Sequence, residues 1–191
     1  METKIADFIM QCFGGFHLEV NQKTINKFST DKARALLVYL AVEAPLSFRR
    51  SHLAGLFWSD FREDQALHNL RQTLVWLKKA VPDVPNQPPL LIIGQDMIGI
   101  NPERRIWVDV NAFQSACQSA LNFSSRDHFL DEVDILGLKN AIQLFKGPFL
   151  DRFNLDESPL FDEWVLAMRE STNQRAAEVL AILCTYHERR G

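Results

Sequence analysis

The order of elements legible in the sequence predicts an α+β fold. Strand-like segments open the chain, three helices follow, and a tight hairpin closes this first part; the remainder reads as all-α. The composition agrees with a folded chain: of 191 residues, 47% are hydrophobic and 24% charged, enough for one large core or two small ones.

Phe16, Leu18 and Val20 alternate with His17 and Glu19, so Phe8 to Val20 reads as strand, with Gly14-Gly15 permitting a bend. Asn21-Gln22-Lys23 turns into a second strand, Thr24 to Phe28. Ser29 or Thr30 caps the first helix, in which Ala33, Leu36, Leu37, Leu40 and Ala41 repeat as one apolar stripe; Ala44-Pro45 ends it. A second helix runs from about Arg49 with Leu53, Leu56 and Phe57 inward. The polar, acidic segment 59–64 is a short connection. A third helix extends from about Asp64 to Val81, and Pro82, Pro85, Pro88 and Pro89 mark the loop after it. Leu90 to Ile93 and Met97 to Ile100 pair around Gly94-Gln95-Asp96 as a hairpin. Sheet, three helices and hairpin are the layout of a winged helix, assigned to residues 1–101.

Beyond Asn101-Pro102 the pattern reads as wholly helical, and residues 107–191 are assigned to a second domain. Asp109 caps a helix to about Leu121, and Asn122 to Asp127 is a polar loop. A helix from about Asp131 to Phe145 stops at Lys146-Gly147-Pro148. One helix or two then run from Pro159 to Tyr186, before a terminal turn at Arg189-Arg190-Gly191. Antiparallel helical hairpins fit this pattern. It reads as truncated, because Ala177, Leu180, Ala181 and Cys184 form a stripe that a further repeat would cover.

The formal charge is −3, from 21 basic and 24 acidic residues. Residues 1–108 hold 13 basic and 11 acidic residues, against 8 and 13 in residues 109–191, which fits either two tasks or plain variation between surfaces. Met1 to Asp7 lack the pattern of a signal peptide, and no apolar run approaches the ~20 residues of a membrane span. Cys12, Cys117 and Cys184 are an odd, widely spaced set. The expectation is a cytoplasmic protein with no membrane partner and no disulfide framework.

Enzymatic readings find little support. His17, His52, His68, His128 and His187 show no metal-ligand spacing, and no phosphate loop, nucleophile elbow or kinase signature is present. Asp127, Asp131, Glu132 and Asp134 lack the alternation and glycine of a calcium loop and read as a solvated helix start. Phe161 and Trp164, at i and i+3, read as packing between helices. A non-enzymatic protein with no cofactor and no metal is expected.

The third helix carries the informative chemistry. At 100° per residue, Leu67, Leu70, Leu74, Leu77 and Val81 share one side. Opposite lie Gln65, His68, Gln72, Val75, Trp76 and Lys79, flanked by Asn69, Arg71 and Lys78. In the DNA major groove, Gln and Asn pair with adenine, Arg pairs with guanine, and Val touches a thymine methyl. Base readout is therefore assigned to Gln65, His68, Asn69, Gln72 and Val75. Phosphate contact is assigned to Arg71, Lys78 and Lys79, to Lys32 and Arg34 of the first helix, and to Arg49 and Arg50, where free helix N–H groups also favour anions. Gln95 and Asp96 stand at the wing tip. The same residues also describe an ordinary solvated face, with Val75 and Trp76 covered by the hairpin.

The run Lys32-Ala-Arg-Ala-Leu-Leu-Val-Tyr-Leu-Ala41 resembles the first helix of bacterial SARP-type transcriptional activators, the antibiotic regulatory protein family. Leu53-Ala-Gly-Leu-Phe-Trp-Ser-Asp60 and Asn69-Leu-Arg-Gln-Thr-Leu-Val-Trp-Leu-Lys-Lys-Ala80 resemble the segments that follow. Trp107-Val-Asp-Val-Asn-Ala-Phe113, Lys146-Gly-Pro-Phe-Leu150 and Phe161-Asp-Glu-Trp164 are similar to the bacterial transcriptional activator domain. The resemblance covers essentially the whole chain in order. It implies an OmpR-type winged-helix DNA-binding domain followed by a truncated, tetratricopeptide-like helical domain, the N-terminal part of a longer protein. It also implies promoter DNA bound at direct repeats by a monomer or weak dimer, and RNA polymerase recruited through a loop containing Asp60, Glu63 and Asp64. Trp76 and Gln95 depart from the family pattern, standing where relatives often carry basic residues. The alternative is a protein-interaction module that uses the helical half, with a winged helix that no longer reads DNA.

Overall fold

The computed structural model describes residues 7–124, 132–155 and 157–188. Among these, six helices and two small sheets make a mixed α/β fold. Of the described residues, 7–10, 17–107 and 154–164 form one compact unit, and 11–16, 108–153 and 165–188 form another.

The first unit opens with β1 (Phe8–Gln11), β2 (His17–Val20) and β3 (Lys23–Thr24). The strand read over Phe8 to Val20 is two strands, parted by a bend at the expected place, where Gly14 takes φ +72° and Gly15 φ +139°. The expected second strand, Thr24 to Phe28, shrinks to two residues. Asn21 and Gln22 make the turn at φ 49° and 64°, and only Glu19↔Thr24 and Val20↔Lys23 pair beyond it.

Helix α1 (Asp31–Val42) starts at Thr30, whose Oγ1 accepts the Ala33 N–H at 3.2 Å. The expected stripe is buried, but so are Ala35, Val38, Tyr39 and Val42. The helix is a central one, apolar almost all round, and not a surface helix with one inward stripe.

Next come β4 (Ser47–Arg49), α2 (Arg50–Phe57), α3 (Glu63–Ala80), β5 (Leu91–Ile93) and β6 (Met97–Ile100). The hairpin β5–β6 matches the sequence reading; β4 was not foreseen. It pairs antiparallel with β6 through Ser47↔Gly99, Phe48↔Ile98 and Arg49↔Met97, giving a sheet of order β4-β6-β5. A Cβ at Gly99 would run into Ser47 Oγ, so glycine lets the two strands approach. Strand β7 (Ile106–Val108) corrects the expectation that everything past Asn101 is helical. It takes the edge of the first sheet, whose order is β3-β2-β1-β7. Ile, Trp and Val favour strands, but three residues are too few for a visible period.

The second unit holds α4 (Asp109–Ser124) and α5 (Glu132–Leu144), together with most of α6 (Pro159–Glu188). Helix α4 runs through the start of the loop expected at Asn122 to Asp127. The rest of that loop, Asp131 and the turn expected at 189–191 lie outside the described residues. The stretch from Pro159 is one helix of 30 residues. Its Ala176, Val179 and Leu183 are buried, whereas Ala177, Leu180, Ala181 and Cys184 are exposed.

Two charged side chains anchor irregular backbone in this unit. The Asp109 carboxylate accepts N–H groups from Cys12 (2.9 Å), Phe13 (3.0 Å) and Val110 (2.7 Å) while 3% exposed. It thus ties residues 11–16 to the start of α4. Arg169 of α6 donates to the Phe149 and Leu150 carbonyls at 2.8 and 2.6 Å. Between them, the Gly14 N–H donates to Pro148 O at 3.0 Å, and a Cβ at Gly14 would stand 2.8 Å from Lys146 O.

Replacing Asp109 by Ala strands buried N–H groups of Cys12 and Phe13. It is expected to cost about 2–4 kcal/mol, read from the shift of the denaturant midpoint. Burial pushes the Asp109 carboxyl above its ordinary 3.8, against the three N–H groups that pull it down. The folded state therefore holds that proton more tightly than the unfolded chain. Its contribution to stability is larger below the ordinary carboxyl value and declines as pH rises through the raised one. The deficit of Asp109→Ala should shrink over that rise; a deficit that grows would contradict the burial argument.

Candidate nucleic-acid interface

Helix α3 is built for one buried and one open side. Glu63 and Asp64 occupy its first turn and Lys78 and Lys79 its last, each matching the helix dipole. Ala66, Leu70, Thr73, Leu74 and Leu77 are buried. Leu67, expected in that stripe, is only half-buried, and Thr73 takes a core place.

On the other side, Gln65, His68, Arg71, Gln72, Val75, Lys78 and Lys79 are exposed, Val75 at 47%. Asn69 is half-buried, and its Oδ1 accepts from Gln65 Nε2 one turn earlier at 3.2 Å. The side chains of Arg49, Arg71, Lys78 and Lys79 have no ion-pair or hydrogen-bond partner among the described residues.

A groove of about 850 Å³ lies along α3 on the side of the hairpin β5–β6. Arg49, Arg50, Arg71, Gln95, Asp96 and Met97 line it, with Ser51 and Leu67. Arg50 is fixed there. Its backbone N–H donates to Asp96 O, its Nε to Gln95 O and its Nη2 to Gly94 O, each at 2.9 Å. Two of its five guanidinium N–H donors thus hold the hairpin tip.

A second groove, about 370 Å³, runs along the opposite side of α3. Trp58, Phe61 and Trp76 wall it, joined by His68, Asn69, Gln72, Thr73, Thr30, Lys32 and Glu157. Trp76 thus faces away from the hairpin, which corrects the reading that the hairpin covers it. Lys32 Nζ donates to Phe57 O at 3.2 Å and sits 5.3 Å from the Trp58 ring centroid. Burial lowers its pKa, while Glu157 and Asp60 pull the other way. Arg34 pairs with Asp31 at 3.4 Å and lies over the Phe28 ring.

The connection between α2 and α3 is five residues, 58–62. Asp60 is exposed in it and accepts from Ser59 Oγ at 3.2 Å. Glu63 and Asp64 belong to the first turn of α3, which corrects their assignment to a loop; Asp64 meets Arg62 at 3.5 Å. Sequence reasoning missed the tethering of Arg50, because the hairpin that receives it lies over forty residues away.

Among the described residues, no group of three His, Cys, Asp or Glu could hold a metal ion, and no helix is long and apolar enough to cross a membrane. No family model matches the chain, and no curated protein matches it by sequence. The described residues form a sheet-and-helix unit, in which α3 lies beside a hairpin, and a helical unit. A solved structure with this fold is Mycobacterium tuberculosis EmbR in complex with a low-affinity phosphopeptide. The match has a TM-score of 0.67 and 15% identity, and covers 90% of this chain. At that identity the likeness shows the fold alone, and this chain spans 44% of the EmbR chain.

Replacing Arg50 by Ala removes two charge-assisted bonds from the hairpin tip. Amide exchange at residues 94–97 of the free protein is expected to speed up by roughly tenfold or more. Unchanged protection would mean that the strands alone hold the tip.

Proposed function

We propose that the chain is a sequence-specific, double-stranded-DNA-binding transcriptional regulator of SARP type, with residues 1–101 acting as an OmpR-type winged helix. The observation that carries this reading is the side-by-side placement of an exposed polar α3 face and an arginine-lined groove at the hairpin tip. Gln65, His68, Asn69, Gln72 and Val75 would read base edges in the major groove, and the hairpin with Gln95 and Asp96 would serve as the wing. Arg49, Arg71, Lys78 and Lys79 supply free cations for phosphates, while Lys32, Arg34 and Arg50 approach them with head groups already bonded within the unit. The fold shared with EmbR is consistent with a regulatory role.

In this reading the protein acts in the cytoplasm without catalysis, cofactor or metal. It binds direct repeats in promoter DNA as a monomer or weak dimer, and Asp60, Glu63 and Asp64 contact RNA polymerase. One observation favours a protein partner for the helical unit as well. Val133 and Leu136 are 76% and 58% exposed beside a groove of about 470 Å³ that Lys139, Tyr186 and His187 also line.

Mobility shifts over a salt series, with duplexes selected from a random pool, test the DNA reading. Arg71→Ala should lower the log–log salt slope by about 0.9, the loss of one phosphate contact. Lys79→Ala should weaken all sequences alike, whereas Gln72→Ala should relax preference at one base pair by about 1–3 kcal/mol. Wild-type slope and preference in all three variants would show that α3 is not the reader.

A further inference from the structure

The two flanks of α3 differ in charge, and the difference bears on how a duplex would be gripped. On the hairpin flank, Arg49 and Arg71 are exposed and their guanidinium groups have no partner among the described residues. Lys78, seven residues after Arg71, falls on the same side of the helix. The opposite flank is walled by Trp76 and Phe61, the latter 42% exposed. The basic residue that lines it, Lys32, turns its ammonium inward to Phe57 O and over the Trp58 ring, and Glu157 lines the same groove. A helix in the major groove lies between two sugar–phosphate backbones about 12 Å apart, one beside each flank.

We infer that this chain holds duplex DNA by charge mainly through one strand: phosphates of the strand beside the hairpin meet Arg49, Arg71 and Lys78, while deoxyriboses of the other strand pack on Trp76 and Phe61, with Lys79, on the outer row between the two flanks, as the free cation nearest its phosphates. The inference rests on the DNA reading above. Guanidinium–phosphate contacts are charge-assisted and displace counterions, so they carry the salt dependence; a ring against a sugar displaces none. A flank whose cation is bonded inward beside a carboxylate attracts apolar sugar surface in preference to phosphate.

The test uses the full chain and a duplex it selects from a random pool. Methylphosphonate linkages, which remove the phosphate charge, are placed across the protected region in one strand at a time. Neutralising one strand should lower affinity about tenfold or more and flatten the salt slope; neutralising the other should cost about threefold or less. Arg71→Ala should abolish most of the penalty in the sensitive strand. Trp76→Ala, or Phe61→Ala should the first not fold, should weaken binding at an unchanged salt slope. Equal losses from the two strands, or a salt slope that falls in the aromatic variant, would overturn the inference and leave DNA binding standing. A folded chain that selects no duplex at all would overturn the DNA reading and this inference together.

Discussion

Burial of α1 on nearly every side is the constraint on which the first unit depends. Leu36, Leu37, Val38 and Leu40 are fully buried, and Tyr39 and Val42 nearly so. Each such side chain contributes about 1.5–3 kcal/mol on leaving water, so every face of the helix must be covered. Helix α3 and strand β6 both pack on it. Once Leu70, Leu74 and Leu77 of α3 are turned to this core, its outer row, Gln65 to Lys79, has nowhere to go but solvent. The hairpin that β6 carries is brought to the flank of α3 by the same packing. The candidate interface is thus a consequence of how a central helix is enclosed.

Arginine does two kinds of work in this protein, and composition cannot separate them. Arg50 and Arg169 place planar donors on backbone carbonyls of irregular segments. Arg104, 7% exposed, does the same for the proline loop, donating to Gln87 Oε1 at 2.6 Å and Pro88 O at 3.2 Å. Arg49 and Arg71 have no such duty. A count of basic residues treats the two groups alike, which is why the near-neutral overall charge says little about an anionic partner. What matters is the number of cations left without a carbonyl or carboxylate to satisfy them.

How much of this was legible in the sequence follows from the range of the interactions. The Thr30 cap, the inner row of α3 and the hairpin around Gly94-Gln95-Asp96 rest on contacts within a few residues, and their patterns show in the chain. Strand β4 exists because β6, fifty residues away, supplies its partner; β7 takes the sheet edge next to β1 across nearly the length of the unit. Neither has a local signature. Residues 11–16 belong to the second unit through Asp109, a residue that reads in sequence as nothing more than a helix cap. The outer face of α3 was legible as a list of residues. Its division into an arginine flank and an aromatic flank was not, because that depends on what α1, α2 and the hairpin bring alongside.

The likeness to EmbR at 15% identity fits the same division between core and surface. A backbone path is kept by positions that must be apolar and of suitable volume, and many sequences meet that demand. Positions on the outer row of α3 are under no packing constraint, so their identity is free to follow the partner. Val75 illustrates the point: at 47% exposure it contributes little to the core, and a polar residue would serve folding as well. An apolar residue at the centre of an otherwise polar face is what the proposed contact with a thymine methyl would use. Trp76, half-buried against a groove of its own, belongs to the same class. On the proposed function, the residues that packing does not require are the ones that would set specificity for DNA.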